Sequence, residues 1–462
     1  MSLREFIRSS AEGQSAWLKD VAAALNFRDL SQGTVLPGRR HELAGKSVLI
    51  ATKDQLNSAL ALIELDGLAS RLVICLPDVQ SERLASVIHD AQVEAVLSDE
   101  TASDLDAKLI HYLCSPLVQS DGTEAIPPHD TEWVMLTSGT TGKPKLVAHT
   151  LEGLLGAILK DRKSKDSTEP IVWGTFYDIR RYGGLQIFLR ALTGGSTMVM
   201  SHADEPLADY VARCREAGVT HMSGTPSHWR RLLMSPHADT LSLNYVRLSG
   251  EIADRAILDA LRSAYPEAHI THAYASTEAG VAFDVTDGLE GFPASLVNAE
   301  GEVELRIEAG SLRIRSLRTA KRYVGRDDLK LFDQDGFVDT DDMVELSGDR
   351  YFFKGRRTGI INIGGQKVHP EEVEEVINRH PAVRMSLVKA RNNPILGSII
   401  VANVVLKEGA AVSPTDEPRN SLRDEILTLC RDQLDSYKIP AMINFVTSLD
   451  FAFSGKIERR VQ

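Results

Sequence analysis

Thr137-Ser138-Gly139-Thr140-Thr141-Gly142-Lys143-Pro144-Lys145 follows a short apolar run, residues 133–136, that reads as a strand. Glycines let backbone amides approach a polyphosphate closely, hydroxyls donate further hydrogen bonds, and lysines neutralise the charge that gathers on a leaving pyrophosphate. Nucleotidyl transfer is the chemistry this composition suits. The stretch is not a Walker A loop. That motif sets four residues between its glycines and Ser or Thr after its lysine, whereas Gly139 and Gly142 enclose two residues and Pro144 follows Lys143. Kinase and GTPase readings thereby lose their support.

Outward from this loop, residues 46–99 alternate short apolar runs (47–51, 72–75, 95–97) with helical stretches (56–68, 82–91), the rhythm of βα units. The rhythm returns at 171–173, 196–200, the helix 207–217, the strand 246–249 and the helix 254–265. Residues 301–353 change to short alternating strands with turn signals, an antiparallel or barrel-like section. Beyond Gly355 a compact α+β unit is predicted, with helices at 370–379 and 421–434 and strands at 383–390 and 398–406. Pro370 suits a first helical turn and Glu371 and Glu372 complement its dipole. The fold class is therefore α/β: a body of two α/β sheets plus a β-rich section over residues 1–355, and a small α+β domain over 356–462.

Composition bounds the partners. A chain of 462 residues is long enough for two or more domains, and 43% apolar with 25% charged residues is ordinary globular usage. A net charge of −12 opposes binding to nucleic acid or an anionic membrane, so a phosphate ligand must meet a local site. Cys75, Cys114, Cys214 and Cys430 have no metal-ligand spacing and read as reduced, mostly buried thiols. The N-terminus is polar and amphipathic, unlike a secretory signal, and no apolar run approaches the roughly 20 residues of a membrane span. A cytoplasmic location is expected, and nothing sets the oligomeric state.

Four further segments follow in order: Tyr274-Ala275-Ser276-Thr277-Glu278, Thr340-Asp341-Asp342, Gly355-Arg356 with Ile361-Asn362-Ile363-Gly364-Gly365, and Ser454-Gly455-Lys456. With the loop they resemble the motif series of the ANL superfamily of adenylating enzymes: acyl-CoA synthetases, peptide-synthetase adenylation domains and luciferases. The resemblance spans nearly the whole chain. It implies that residues 137–143 and Lys145 hold the nucleotide phosphates, that Tyr274 lies against adenine, and that Thr277 reaches the α-phosphate. It further implies that Glu278 binds Mg²⁺, that Asp342 and Arg356 hold the ribose, and that Ser249, Gly250 and Glu251 lie near the nucleotide. Lys456 would bridge the acyl carboxylate and the α-phosphate, an electrostatic aid worth roughly 10²- to 10³-fold in rate. Thr277, Glu278 and Lys456 are the implied catalytic residues.

The implied reaction has two steps. A carboxylate attacks the α-phosphate of ATP and expels pyrophosphate; a thiol, most naturally that of CoA, then attacks the mixed anhydride and expels AMP. Between the steps the small domain would turn about Thr358 and bring Gly364 and Gly365 to the thiol. Asp341 stands where the family usually has glycine, which implies a locally different backbone. Thr358 stands where it usually has Asp or Lys.

For the acid pocket the candidates are Arg180, Arg181, Tyr182 and Gly184. An arginine turned inward would bind a second carboxylate or another anionic group; the alternative is that both are solvated or paired with Asp178. Leu146 in place of a glycine and an abbreviated segment after Gly301 suit a small or aromatic acid. The expected ligands are ATP, Mg²⁺, a small carboxylic acid and CoA. The competing readings are loading of an acyl carrier protein, adenylation of another oxyacid such as nitrite, and a catalytically silent nucleotide-binding module. Intact Lys145, Glu278 and Lys456 speak against the last.

Overall fold

The computed structural model describes residues 2–11, 16–77, 79–100, 109–114, 117–119, 126–137, 144–163, 170–363, 366–393, 397–407 and 416–449. Ser47–Ile50, Arg71–Ile74 and Ala95–Ser98 are strands buried along nearly their whole length, as in a parallel sheet covered on both faces. The helices Gln55–Leu65 and Ser81–Asp90 connect them, the first capped by Asp54, whose carboxylate accepts from the amides of Leu56 and Asn57. These strands belong to a seven-stranded sheet, ordered Arg322–Tyr323, Lys145–Thr150, Glu132–Thr137, Arg71–Ile74, Ser47–Ile50, Ala95–Ser98, Ile110–Leu113.

The antiparallel end of that sheet positions the loop quoted first. Lys145–Thr150 lies against Glu132–Thr137 with Lys145 opposite Thr137. On its other side it pairs with Arg322–Tyr323, Val147 opposite Tyr323. Arg322 and Arg71 both reach Glu132, at 2.7 Å each. Leu146 is buried in a cluster with Leu136, Val73 and Val324.

The second sheet has eight strands in the order Gly280–Val285, His269–Ser276, Tyr245–Ser249, His221–Gly224, Val172–Thr175, Thr197–Met200, Trp17–Lys19, Ala24–Asn26. Its central pairs are parallel and its two edge pairs antiparallel. A five-stranded antiparallel sheet closes the body: Phe292–Pro293, Arg350–Arg356, Val338–Ser347, Ser311–Ser316, Val303–Glu308. It is the β-rich section predicted for 301–353, extended at one edge by Phe292–Pro293.

After the turn Arg357–Gly359 the chain builds an α+β unit with its own core, which includes Val373, Ile377, Val404, Ile426 and Ile443. Val383–Asn393 pairs antiparallel with Gly397–Leu406, which takes Met442–Phe445 in parallel, and the helices Pro370–Asn378 and Asp416–Gln433 accompany them. Pro370 opens its helix, with Glu371 and Glu372 in the first turn. Among the described residues no helix is long and apolar enough to cross a membrane.

Candidate active site

The strand His269–Ser276 ends at a turn that carries Thr277 and Glu278 before the chain returns as Gly280–Val285. Neighbouring segments fasten that turn: the amide of Ala320 donates to the Glu278 carbonyl at 2.9 Å, and the His149 imidazole lies 2.7 Å from the Thr277 carbonyl. Thr277 and Glu278 thus stand where the eight-stranded sheet meets the antiparallel end of the seven-stranded one.

Three residues far apart in sequence join beside it. The Tyr274 hydroxyl donates to Oδ2 of Asp342, and Nε of Arg356 donates to Oδ1 of the same carboxylate at 3.1 Å. The Tyr274 ring lies nearly parallel to Phe353 and Phe283, with centroids 5.3 and 5.6 Å away. Burial, reinforced by the Asp342 charge, pushes the Tyr274 phenol well above its ordinary range, so it stays a donor. For Arg356, desolvation works toward a lower pKa, but the charges of Asp342 and Glu278 help to outweigh it and raise the value. Its side chain is 58% exposed and open to a ligand. Phe283 and Phe353, on the strands Gly280–Val285 and Arg350–Arg356, were missed in sequence; neither strand has an alternating burial pattern that would single them out.

Asp341 has φ +63°, the left-handed region that glycine favours, and Asp342 beside it pairs across the sheet with Arg356. The Asp341 amide donates to Oδ1 of Asp339 at 3.0 Å, within the strand Val338–Ser347.

Lys145 and Glu278 share a neighbour. The Lys145 ammonium lies 5.3 Å from the Tyr323 ring centroid, and burial together with the Glu278 charge pushes the Tyr323 phenol up to about 12. Glu278 is half-buried, and among the described residues no cluster of three or more His, Cys, Asp or Glu could hold a metal alone. One carboxylate without such a cluster fits Mg²⁺, which keeps waters and takes its remaining oxygens from nucleotide phosphates.

Ser249 ends the strand Tyr245–Ser249, Gly250 and Glu251 follow it, and Gly250 has φ +84°. The Tyr177 hydroxyl donates to the Ser249 carbonyl at 2.8 Å, and Glu251 accepts from the Ser227 amide at 2.9 Å. Phe176, Tyr177 and His228 form an aromatic cluster there, with His228 stacked on Phe176 at 5.4 Å.

Arg180 does not serve as an acid-pocket anchor. Its guanidinium is buried and bonded twice to the Asp178 carboxylate, at 2.8 and 2.6 Å, and to the carbonyls of Thr52 and Lys53 at 2.7 and 2.9 Å. For Arg180 the paired reading is the one realised. Arg181 is half-buried at the head of the helix Tyr182–Gly194. Tyr182 is buried with its hydroxyl on the Val281 backbone. Gly184 is required by packing, since a Cβ there would sit 2.1 Å from the Asp178 carbonyl oxygen.

Thr358 is exposed in the turn Arg357–Gly359. Beside it, Gly355 has φ +116° and a Cβ there would lie 2.2 Å from Glu371, so the small unit's first helix seats directly on that backbone. Ser138, Gly139, Thr140, Thr141, Gly142, Lys143, Gly364, Gly365 and Lys456 lie outside the described residues.

Comparison with known proteins fits this arrangement. Residues 58–323 match the AMP-binding enzyme family and residues 372–456 its C-terminal domain. The chain belongs to this family, and with it to the ANL superfamily, as an AMP-forming ligase of the acyl-CoA synthetase-like kind. A 2-succinylbenzoate–CoA ligase of Listeria innocua serovar 6a is 28% identical over 395 residues, 81% of this chain and 77% of the relative. The anthranilate CoA ligase AuaEII, solved with anthranoyl-AMP, superposes with a TM-score of 0.81 at 17% identity, over 99% of this chain and 95% of that one. The o-succinylbenzoate CoA synthetase of Bacillus subtilis, solved with its acyl-adenylate, gives 0.74 at 20% identity over 98% and 96%.

Proposed function

We propose that the protein uses ATP to activate an aromatic carboxylic acid, a benzoate with a polar ortho substituent, as its acyl-AMP and passes the acyl group to the thiol of CoA. The reading rests above all on the joining of Tyr274, Asp342 and Arg356 beside Glu278, with Lys145 on the adjoining strand. Supporting the acid class, both 2-succinylbenzoate and anthranilate in the names of the relatives are ortho-substituted benzoates. The cluster of Phe176, Tyr177 and His228 offers ring surface beside Ser249.

In this reading Asp342 accepts from the ribose hydroxyls and Arg356 backs the same group. Thr277 meets the α-phosphate, and Lys145, with residues 138–143, meets the outer phosphates. Mg²⁺, bound through Glu278, would lower the charge barrier at phosphorus. A carboxylate oxygen bonds to the α-phosphorus as the bond to pyrophosphate breaks, with Lys456 stabilising the charge between them. The small domain then turns about Thr358, the CoA sulfur bonds to the acyl carbon, AMP leaves, and the thiol proton passes to solvent.

Pyrophosphate exchange across a panel of benzoates, alkanoates and nitrite tests the reading. Exchange strongest with an ortho-substituted benzoate, lost in Glu278→Gln and Lys456→Ala while ATP still binds, is expected. No exchange with any benzoate overturns it. AMP release with CoA set against release with an acyl carrier protein decides the acceptor.

A further inference from the structure

His149 lies where three parts of the site meet, and neither the motif series nor the reaction just described uses it. It is carried on Lys145–Thr150, the strand that begins with Lys145, and is 1% exposed. Its Nε2 sits 2.7 Å from the carbonyl oxygen of Thr277, so Nε2 bears the proton and donates. Burial holds its pKa down at about 4, which keeps the ring neutral. The ring centroid is 5.7 Å from that of Tyr182, the first residue of the helix after the acid-pocket segment. Nδ1 is buried without a hydrogen-bond partner among the described residues.

The Thr277 carbonyl falls just past the last ladder pair, Ser276 with Gly280, so no neighbouring strand of its own sheet supplies a donor. A part-buried carbonyl left without a donor is costly, and an aliphatic residue filling the same space would leave it so. His149 supplies the donor from the other sheet.

We propose that His149 is a positioning residue of the active site: by holding the Thr277 carbonyl it sets the turn bearing Thr277 and Glu278 in register with the strand that presents Lys145. The metal-side carboxylate and a phosphate-side ammonium then meet the same triphosphate without either having to move. The inference rests on the reading of Glu278 as the Mg²⁺ ligand and of Lys145 as a phosphate contact. The imidazole touches no substrate and acts only through Thr277.

The test compares His149→Leu, which fills the space without donating, with His149→Gln, whose amide reaches the same carbonyl from the Nε2 position. ATP affinity is titrated calorimetrically with Mg²⁺ and with EDTA, and amide exchange is followed over residues 275–281. His149→Leu is expected to weaken binding about fivefold with Mg²⁺ and little with EDTA, and to speed exchange at the turn, while His149→Gln stays within about twofold of the parent. Unchanged Mg²⁺-dependent affinity in folded His149→Leu overturns the proposal, as does equal loss with and without the metal, or equal loss in both variants. His149→Met replaces the Leu variant should that one fail to fold; failure of both to fold while His149→Gln folds leaves a purely structural residue and overturns the proposal too. Glu278→Gln in the same titration separates the two readings: retention of the Mg²⁺ increment there refutes the metal assignment, not the His149 bond.

Discussion

The hydroxyl of Tyr274 and the carboxylate of Asp342, 68 residues apart in the chain, are joined by a hydrogen bond that leaves Asp342 fixed from one side by a phenol and from the other by Arg356. In the proposed function Asp342 meets the ribose hydroxyls, and an acid with that task gains from being held before the nucleotide arrives. Tyr274→Phe keeps the ring packing on Phe283 and Phe353 and removes only the hydroxyl. It should raise the KM for ATP about five- to tenfold with kcat nearly unchanged, the signature of lost uniform binding, and pyrophosphate-exchange kinetics check it.

Asp341 occupies a left-handed conformation at φ +63°. Asp341→Gly should stabilise the protein by about 0.5–1 kcal/mol, because the strain it removes exceeds what the half-exposed pair with Arg357 contributes. Urea unfolding of the two proteins measures the difference, and the KM for ATP should not change.

Arg180→Ala should destabilise the fold by about 3–5 kcal/mol, since it strands the buried Asp178 carboxylate and the carbonyls of Thr52 and Lys53. Among molecules that remain folded, the KM for the acid should match the parent. A selective rise in that KM at unchanged stability would restore Arg180 to the acid pocket.

His228 carries a pH dependence. Burial, followed by the nearby Arg231 charge, lowers its pKa from 6.5 to about 3 in the folded protein. The unfolded chain therefore takes up a proton that the native state refuses, and stability falls as pH drops from about 6.5 toward about 3. The loss in that window is about 1.4 kcal/mol per pH unit from this group. Denaturant midpoints at pH 7 and pH 5 should differ accordingly, and His228→Phe should flatten the slope between them.

The α/β body was legible because runs such as residues 48–50 and 72–74 are continuously apolar, the mark of strands covered on both faces. Trp17–Lys19 and Ala24–Asn26 were not, since three residues at a sheet edge carry too little pattern to stand out. Within the site, Tyr274, Glu278, Asp342 and Arg356 could be picked out because each sits in a motif of fixed spacing. The direction of Arg180 could not, because it is decided by carbonyls at Thr52 and Lys53, 127 to 128 residues upstream. His149 reads in sequence as one polar interruption of an apolar strand; only the placement of Thr277 against it gives it a partner.

The short strand Arg322–Tyr323 completes the sheet beside Lys145–Thr150, and its Arg322 reaches back 190 residues to Glu132. During synthesis the strand that begins with Lys145 is therefore made long before its neighbour exists. A nascent or truncated chain that stops short of Arg322 leaves that row of amides and carbonyls bare, ready to template another chain. Order of emergence, as much as chemistry, makes the far end of the body the step on which a safe, active molecule depends.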